Sequence, residues 1–326
     1  MYERITKRLF SAESVAVFMH INPDGDCVGS SLAMYAYLKN LGKTVDVYVE
    51  KKEDIRENLR ILPNIEAIGV CEGKRYDLGI ALDCGSASRM GNASAKVYFD
   101  KCDERICFDH HETSEPFADE TVFENVAATA QILYKFFKEN DASAIDKDVA
   151  TCLYAGLLTD TGAFAFSNTS DETLRIALEL RSYGIDAYRL LYKLVKEERR
   201  EIFELRNRVL GKAKFFLDDR MGLIAFMRSD FEATGTQDKD TEGIINSLIN
   251  IEGVKIAVSV AEMADKRAFK VGIRTKDGVN AGKYAALFGG GGHANASGCR
   301  IYADYDETVK RLTEAAKLVL DGDGAE

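Results

Sequence analysis

The first half of the chain alternates short runs of β-branched and aliphatic residues with amphipathic stretches, and this alternation limits the fold more than any other feature. The runs predict strands at residues 14–19, 44–49, 77–82 and 105–108, and the spacing of apolar residues predicts a helix over 27–41. Strands that alternate with helices are typical of βαβ units around a mainly parallel sheet. We therefore expect an α/β domain in this half.

The pattern changes after residue 127. Helical periodicity predicts helices over 145–158 and 171–183, and the highly charged segment 196–208 is interpreted as a helix between two domains. Beyond this segment we predict a hairpin (213–217 with 221–228), a helix (241–250), two strands (254–262 and 269–273) and a terminal helix.

A length of 326 residues is also typical of two domains. We assign residues 1–195 to a parallel-sheet domain, 196–212 to a linker helix and 213–326 to a smaller α+β domain.

Charge and hydropathy restrict the partners. The chain carries a net charge of −10, whereas proteins that hold long nucleic acids usually carry surplus Lys and Arg. We therefore expect a small anionic substrate rather than a long nucleic acid. The sequence has no apolar stretch long enough for a membrane span and no apolar core of a secretory signal near residue 1, so we expect no membrane association and a cytoplasmic location.

Seven cysteines without a CxxC pair argue against a disulfide framework and against a zinc ribbon. The two that adjoin polar motifs, Cys27 and Cys84, are interpreted as packing residues, because thiolates suit softer metals than the oxygen-rich motifs beside them.

The chain has only four histidines, and three of them stand next to aspartates where predicted strands end. His20 begins the segment HINPDGD, which also contains Asp24 and Asp26, and the segment DHH contains Asp109 followed by His110 and His111. Ligands of open α/β sheets bind outside the carboxyl ends of the strands. Carboxylates mixed with imidazoles suit divalent cations.

Two further aspartates complete this set. Asp83 lies in LDCG and Asp160 in LTDTG, both at predicted strand ends or turns. An Asp before a Cys-Gly or Thr-Gly pair is, taken alone, usually a turn residue. The complete constellation instead favours a site for two cations, with a carboxylate such as Asp83 as the bridging ligand.

The second half contains one notable motif, the glycine run at 289–292 followed by His293. Glycine amides can approach an anion closely, and His293 can donate a further hydrogen bond, although a glycine run by itself is more often a flexible loop. The segment after His293 is expected to begin a helix. Arg274 on a nearby predicted strand is a candidate phosphate ligand, and Arg89 is a weaker candidate because a surface arginine is the simpler interpretation.

The four segments HINPDGD, LDCG, FDHH and LTDTG resemble the four motifs of the DHH phosphoesterase family, in the expected order across about the first 165 residues. The arginine followed by Gly-Gly-Gly-His resembles the DHH-associated C-terminal domain, with Thr275 where a serine is expected. The resemblance implies the following site. One metal would be held by His20, Asp24 and Asp83 and the other by Asp26, Asp83, His110 and Asp160; His111 would contact the scissile phosphate with support from Asp109, and Arg274, Gly290, Gly291, Gly292 and His293 would bind a terminal phosphate.

Within that family the two-domain layout is similar to the nanoRNases that also dephosphorylate 3′-phosphoadenosine 5′-phosphate. The resemblance therefore implies hydrolysis of short oligoribonucleotides with two divalent ions, Mn²⁺ in preference to Mg²⁺ because of the histidine content. Hydrolysis of cyclic or linear di-AMP is the nearest alternative. An inorganic pyrophosphatase, an exonuclease on long strands and a catalytically silent nucleotide-binding module are less favoured, and a homodimer remains an open alternative.

Overall fold

The computed structural model describes residues 2–70, 73–91, 95–111, 114–264, 268–292 and 294–322. The chain divides into two compact units, Met1–Glu197 and Glu198–Glu326. The finer domain boundaries assigned from the sequence, including the linker helix 196–212, remain predictions. Within the described ranges, no helix combines the length and the apolar character that a membrane crossing requires.

The first unit is a six-stranded sheet with helices. Its strands are β1 Ser14–Phe18, β2 Thr44–Tyr48, β3 Ile68–Gly69, β4 Leu78–Leu82, β5 Glu104–Asp109 and β6 Glu120–Phe123. Its helices are α1 Glu3–Ser11, α2 Gly25–Asn40, α3 Ala95–Phe99, α4 Thr129–Asp141, α5 Lys147–Asp160, α6 Asp171–Arg181 and α7 Ala187–Leu191. The strand order is β3-β2-β1-β4-β5-β6 and every pairing is parallel, which confirms the predicted α/β architecture.

The central strands form because their sequences suit burial on both faces. β4 (LGIAL) is buried at every position, and β1 (SVAVF) is buried at all positions after Ser14. Continuous apolar runs of this kind are typical of parallel strands covered on both sides. In-register parallel pairing of β1 with β4 and of β4 with β5 brings the carboxyl ends of all three strands to one edge of the sheet.

Helices α2 and α5 approach each other unusually closely because glycines line their contact. A Cβ atom at Gly29 would lie 2.6 Å from the Cys152 carbonyl oxygen, and one at Gly156 would lie 2.5 Å from Asp26 Oδ1. A Cβ atom at Gly25 would lie 2.3 Å from Thr159 Oγ1. The first turn of α2 therefore lies against the last turn of α5.

The second unit is built on a mixed sheet. Its strands are β7 Lys214–Phe216, β8 Met221–Phe226, β9 Ile256–Glu262, β10 Phe269–Thr275, β11 Gly291–Gly292 and β12 Ala296–Ile301, in the order β11-β12-β10-β9-β8-β7. Its helices are α8 Arg200–Leu210, α9 Arg228–Thr234, α10 Asn246–Ile249, α11 Ala281–Ala286 and α12 Tyr305–Gly322. All pairings are antiparallel except that of β8 with β9. The predicted hairpin is confirmed by β7 and β8.

Two expectations for this unit are wrong. The predicted helix 241–250 is instead a 3₁₀ turn at Asp238–Thr241 followed by the short α10, because Gly243 adopts a left-handed φ of 78° that interrupts a helix. The segment after His293 does not begin a helix. It leads into β12, which pairs with β10, so a long-range pairing determines its structure.

Candidate metal centre

The candidate ligands lie where elements of the first unit end or begin. His20 follows β1 and Asp83 follows β4, while Asp109 is the last residue of β5 and His110 is the next in the chain. These residues come together because parallel strands place their carboxyl ends at the same edge.

The remaining ligand candidates belong to helix termini. Asp24 caps α2, its Oδ1 accepting a hydrogen bond of 3.1 Å from the Cys27 amide, and Asp26 lies in the first turn of the same helix. Asp160 is the last residue of α5, not the end of a strand or part of a turn as expected. The chain turns directly after it, since Gly162, Ala163 and Phe164 all have left-handed backbone conformations. The close contact of α2 with α5 explains how Asp26 and Asp160 come to share one site.

His20 points one ring nitrogen into this cluster. Its Nδ1 lies 2.8 Å from the carbonyl oxygen of Ile21, and because a carbonyl only accepts, Nδ1 carries the hydrogen. Nε2 then lies 3.6 Å from Asp83 Oδ2 and 3.9 Å from Asp24 Oδ2 and is the nitrogen left to ligate a cation. Within the described part of the chain this buried Nε2 has no hydrogen-bond partner.

His110 repeats the arrangement on the other side. Its Nδ1 lies 3.1 Å from the Val126 carbonyl oxygen, so Nε2 is again the nitrogen left to ligate a cation. This Nε2 lies 3.3 Å from Asp160 Oδ2 and 3.4 Å from Asp83 Oδ1, and it is buried without a hydrogen-bond partner among the described residues. A backbone carbonyl that fixes the tautomer in this way is the usual support of a metal-ligating histidine.

Asp83 stands between the two histidines and is almost completely buried. Its Oδ2 faces His20 and its Oδ1 faces His110, so each carboxylate oxygen is directed to a different imidazole. The backbone of Asp83 has a φ of 59°, which few residues other than Gly, Asn and Asp adopt readily. The carboxylate therefore has the placement expected of a ligand shared between two cations.

Asp26 is fully buried and held by several donors. Its Oδ2 accepts from the Thr129 amide at 2.6 Å, and its Oδ1 accepts from the Ala130 amide at 3.1 Å and from Ser30 Oγ at 3.0 Å. One ligand atom each from Asp26, His110 and Asp160 can be chosen so that all three lie within 4.8 Å of one another. These three residues can thus surround one cation.

The electrostatics of the cluster favour a cation. Burial, together with the charges of Asp83 and Asp160, raises the pKa of Asp26 well above its usual value, and burial raises that of Asp160 to about 6. Burial lowers the pKa of His110, but Asp160 and Asp83 outweigh it and raise the value to about 12.

The aspartates therefore impose a strong demand for positive charge. Among the described residues, every ion pair of Asp24, Asp83, Asp109 and Asp160 is with a histidine, and none is with Lys or Arg. A donor set of carboxylate oxygens and imidazole nitrogens fits a divalent cation.

His111 and Asp109 form a hydrogen-bonded pair at the edge of the cluster. Nδ1 of His111 donates to Asp109 Oδ1 at 2.8 Å and lies 3.7 Å from Asp83 Oδ1. The Asp109 side chain is completely buried, and its hydrogen bond raises the pKa of His111 in spite of burial. This contact fixes the imidazole orientation and favours its protonated form.

Two known protein families match parts of the chain. The model described as "DHH family, N-terminal domain" matches residues 14–157, and the model described as "DHHA1 domain" matches residues 222–321. The chain thus combines a DHH domain with a DHHA1 domain. The structure places the adjacent residues Asp109, His110 and His111 at the cluster.

The similarity to individual relatives extends over nearly the whole length of this chain. The "bifunctional oligoribonuclease and PAP phosphatase NrnA" of Thermus thermophilus is 29% identical over 93% of this chain and 89% of its own. The "cyclic-di-AMP phosphodiesterase PdeA" of Listeria monocytogenes is 23% identical over 92% of this chain but only 46% of its own. The crystal structure of an exopolyphosphatase-related protein from Bacteroides fragilis superimposes with a TM-score of 0.89 at 27% identity, covering 97% of this chain and 96% of that one.

Cys27 lies close to the cluster of candidate metal ligands, but its thiol differs from their carboxylates and imidazoles. Its Sγ can be grouped with ligand atoms of His20 and Asp83 within 4.8 Å, and it contacts the Leu82 carbonyl oxygen at 3.6 Å. Burial and the neighbouring aspartates raise the pKa of this thiol well above its usual value. A protonated thiol is a poor ligand, so the interpretation of Cys27 as a packing residue stands.

The candidate phosphate-binding residues are spread over both units. Arg89 is exposed on the 3₁₀ turn Ala87–Met90, and its carbonyl oxygen accepts from the Ile21 amide at 2.8 Å, which holds the turn beside the His20 segment. Arg274 lies on β10, half-buried, with Nη1 donating to the Ile273 carbonyl oxygen at 2.9 Å.

The glycine run meets the expectation only in part. A Cβ at Gly290 would lie 2.3 Å from the Gly298 carbonyl oxygen, and Gly292 has a φ of 145°, so both positions require glycine, whereas Gly291 faces open space. Gly291 and Gly292 form β11, which pairs with β12, and part of their backbone is thus engaged in a ladder. His293 lies outside the described residues.

The sequence reasoning missed the residues that support the ligands from behind. The Val126 carbonyl oxygen accepts from His110 Nδ1, and the Thr129 hydroxyl donates to Asp83. The amides of Thr129 and Ala130 donate to Asp26. Their sequence, Val-Ala-Ala-Thr-Ala at 126–130, contains no charged or metal-binding residue. A single threonine before an apolar run signals only a helix start, so the pattern alone could not identify these contacts.

Proposed function

We propose that this protein is a metal-dependent phosphoesterase that hydrolyses short oligoribonucleotides and 3′-phosphoadenosine 5′-phosphate. The observation that carries the proposal is the pair of buried Nε2 atoms of His20 and His110, which lie beside opposite oxygens of Asp83. The Thermus relative supports the substrate class, because the similarity extends over most of both chains. The Listeria relative supports the cyclic di-AMP alternative less well, because the similarity covers only 46% of that protein.

Two cations would share the cluster. His20, Asp24 and Asp83 would hold one, and Asp26, Asp83, His110 and Asp160 the other. When bound, divalent ions polarise phosphate oxygens and lower the pKa of water. Mn²⁺ is proposed ahead of Mg²⁺ because imidazole nitrogens contribute to both sites.

The residues of the chain orient the reacting groups and move a proton. Asp109 holds Nδ1–H of His111 and stabilises the protonated ring. The remaining nitrogen, Nε2, is then the atom from which His111 can donate a hydrogen bond or a proton to a phosphate oxygen. Asp83, at the centre of the cluster, would contribute one carboxylate oxygen to each cation site.

The second unit would bind the terminal phosphate. Arg274 offers a guanidinium, and Gly290, Gly291 and Gly292 offer a backbone that a side chain would block at two of the three positions. His293 remains part of this proposal from the sequence alone. The acidic net charge of −10 still favours short nucleotides over long strands, and the cytoplasmic location stays a prediction.

A hydrolysis panel tests the proposal. With Mn²⁺ present, we would compare 3′-phosphoadenosine 5′-phosphate, a 5′-labelled RNA dinucleotide and pentanucleotide, linear di-AMP, cyclic di-AMP and pyrophosphate. Preference for the short linear substrates and 3′-phosphoadenosine 5′-phosphate is the expected result. Preference for cyclic di-AMP or pyrophosphate would keep the metal centre but overturn the substrate class.

The same panel needs a matched pair of variants. Asp160→Asn removes a candidate ligand at the last position of α5, whereas Asp148→Asn removes an exposed carboxylate from the first turn of the same helix. Activity that survives in Asp148→Asn and disappears in Asp160→Asn assigns the hydrolysis to this centre. Activity retained in both variants would point to a contaminating enzyme, and equal loss in both would point to general damage.

A further inference from the structure

The segment that enters helix α4 contacts three of the candidate ligands at once. The Val126 carbonyl oxygen accepts from His110 Nδ1 at 3.1 Å. Three residues later, the Thr129 amide donates to Asp26 Oδ2 at 2.6 Å, and the Thr129 hydroxyl donates to Asp83 Oδ1 at 3.0 Å. One threonine therefore joins two carboxylates that belong to different elements, α2 and the end of β4.

The contact of Thr129 with Asp83 has a specific geometric effect. A carboxylate can rotate about its terminal torsion and present both oxygens to the same cation. The hydroxyl holds Oδ1 on the side of His110, 3.4 Å from its Nε2, which leaves Oδ2 on the side of His20 at 3.6 Å. Since Thr129 is completely buried, water does not compete for this hydrogen bond.

We propose that Thr129 is a positioning residue for the metal centre: its hydroxyl orients Asp83 so that each carboxylate oxygen serves a different cation. The inference rests on the proposed two-metal function but assigns a role to a residue outside the ligand set. Groups that support a ligand from behind usually change metal affinity or activity about 10- to 100-fold when they are removed.

The test compares variants that differ in one hydroxyl group. Thr129→Val keeps the branched shape and the backbone amide that binds Asp26 but removes the hydroxyl donor. Thr129→Ser keeps the hydroxyl and removes only a methyl group. We expect Thr129→Val to weaken Mn²⁺ binding about 10- to 100-fold in isothermal titration calorimetry. Thr129→Ser should rescue binding to near the wild-type affinity.

A control threonine separates positioning from general packing. Thr173 is also fully buried, and its hydroxyl donates to Gln131 Oε1 at 2.9 Å rather than to a candidate ligand. Thr173→Val should bind Mn²⁺ as the wild type does, even where its melting temperature is lower. If Thr129→Val fails to fold by circular dichroism, Thr129→Ala takes its place and must show the same loss of affinity.

The outcomes distinguish this inference from the proposed function. Wild-type protein that binds no Mn²⁺ would overturn the proposed function and the role of Thr129 together. Wild-type binding with an unchanged affinity in Thr129→Val, or in its alanine substitute, would overturn the role of Thr129 alone. Loss in Thr129→Val that Thr129→Ser does not restore would assign the effect to shape and likewise overturn it.

Discussion

Both units of the protein bury carboxylates, but they balance the negative charge in opposite ways. In the second unit, Asp230 Oδ1 accepts from Arg208 Nε at 2.6 Å and from Lys212 Nζ at 2.8 Å. Burial alone would raise the pKa of Asp230, but Lys212 and Arg208 outweigh it and lower the value. In the first unit, Asp26 and Asp83 are as little exposed as Asp230. Histidines are the only ion-pair partners that Asp83 has among the described residues, and His110 and His20 lower its pKa in spite of burial. Burial and the charges of Asp83 and Asp160 instead raise the pKa of Asp26 well above its usual value.

The difference separates two uses of a buried carboxylate. A carboxylate that joins elements together is stable when the chain supplies its own cation, as at Asp230. A carboxylate that serves as a metal ligand has too little positive charge around it when the metal is absent, and this lowers the stability of the metal-free protein. Uncompensated buried charge is therefore a better sign of a metal centre than the number of aspartates in a motif.

The largest effect that tests this comparison is expected for Asp83→Asn. Asparagine has nearly the same size and tolerates the left-handed backbone at this position, so the fold should persist. We expect at least about a 100-fold loss of phosphoesterase activity with Mn²⁺. Residues that only hold a metal ligand in place contribute about 10- to 100-fold, and loss of the ligand itself should cost at least as much. Steady-state hydrolysis of an RNA dinucleotide measures it, and near-normal turnover would remove Asp83 from the mechanism.

The second prediction concerns added and removed cations. Mn²⁺ at about 100 times its dissociation constant should stabilise the wild-type protein by about 2.7 kcal/mol for each site, because it binds the folded chain only. Thermal unfolding with Mn²⁺ and with a chelator measures the shift. Asp230→Asn should respond as the wild type does and Asp83→Asn much less. A melting temperature indifferent to both additions would contradict the interpretation of the cluster.

Gly156→Ala should disturb the centre through packing alone. The new Cβ would lie 2.5 Å from Asp26 Oδ1 and 2.8 Å from Ala130 Cβ, so either the helices separate or the carboxylate moves. Overpacking of this kind costs about 1–3 kcal/mol. We expect that loss in urea unfolding, together with weaker Mn²⁺ binding.

Gly69→Ala is the matched control for this variant. Its Cβ would make an ordinary contact of 3.6 Å with Tyr48, so neither stability nor Mn²⁺ affinity should fall appreciably. If Gly156→Ala bound Mn²⁺ with the wild-type affinity, the close approach of α2 to α5 would not be what places Asp26.

The smallest effect is expected for Asp230→Asn. Removing one partner of a fully buried ion pair costs about 3–5 kcal/mol, but Arg208 and Lys212 are 43% and 58% exposed and can be hydrated again. We therefore expect a loss of about 1–2 kcal/mol in the unfolding free energy and no change in Mn²⁺ affinity. A gain in stability would mean that Asp230 is no better compensated than the aspartates of the first unit.

The parallel sheet of the first unit could be predicted because the local sequence of its strands is distinctive. β1 and β4 are continuous apolar runs, and each is followed within two residues by a polar motif. Once a parallel sheet is inferred, geometry places His20, Asp83 and Asp109 at one edge without any knowledge of side-chain contacts. The roles assigned to the site residues nevertheless remain predictions.

Other parts depend on contacts between distant residues and left no local signal. The segment LTDTG resembles a turn, yet α5 continues to Asp160 because its last turn packs against Gly25 of α2. β12 follows a glycine-rich stretch and forms through its pairing with β10 and β11. Thr129 joins the centre because α4 docks there, a fact that no spacing of residues encodes.

The way α4 begins also has a consequence for how the centre moves. The first amides of a helix lack partners within it and ordinarily exchange their hydrogens quickly with solvent. Here the amides of Thr129 and Ala130 donate to the Asp26 carboxylate, so their hydrogens exchange only when these hydrogen bonds break. Fraying of a single turn would then release Asp26 and Asp83 in the same event. The exchange rates of these two amide hydrogens, measured in the unaltered protein, thus report how often the whole centre opens.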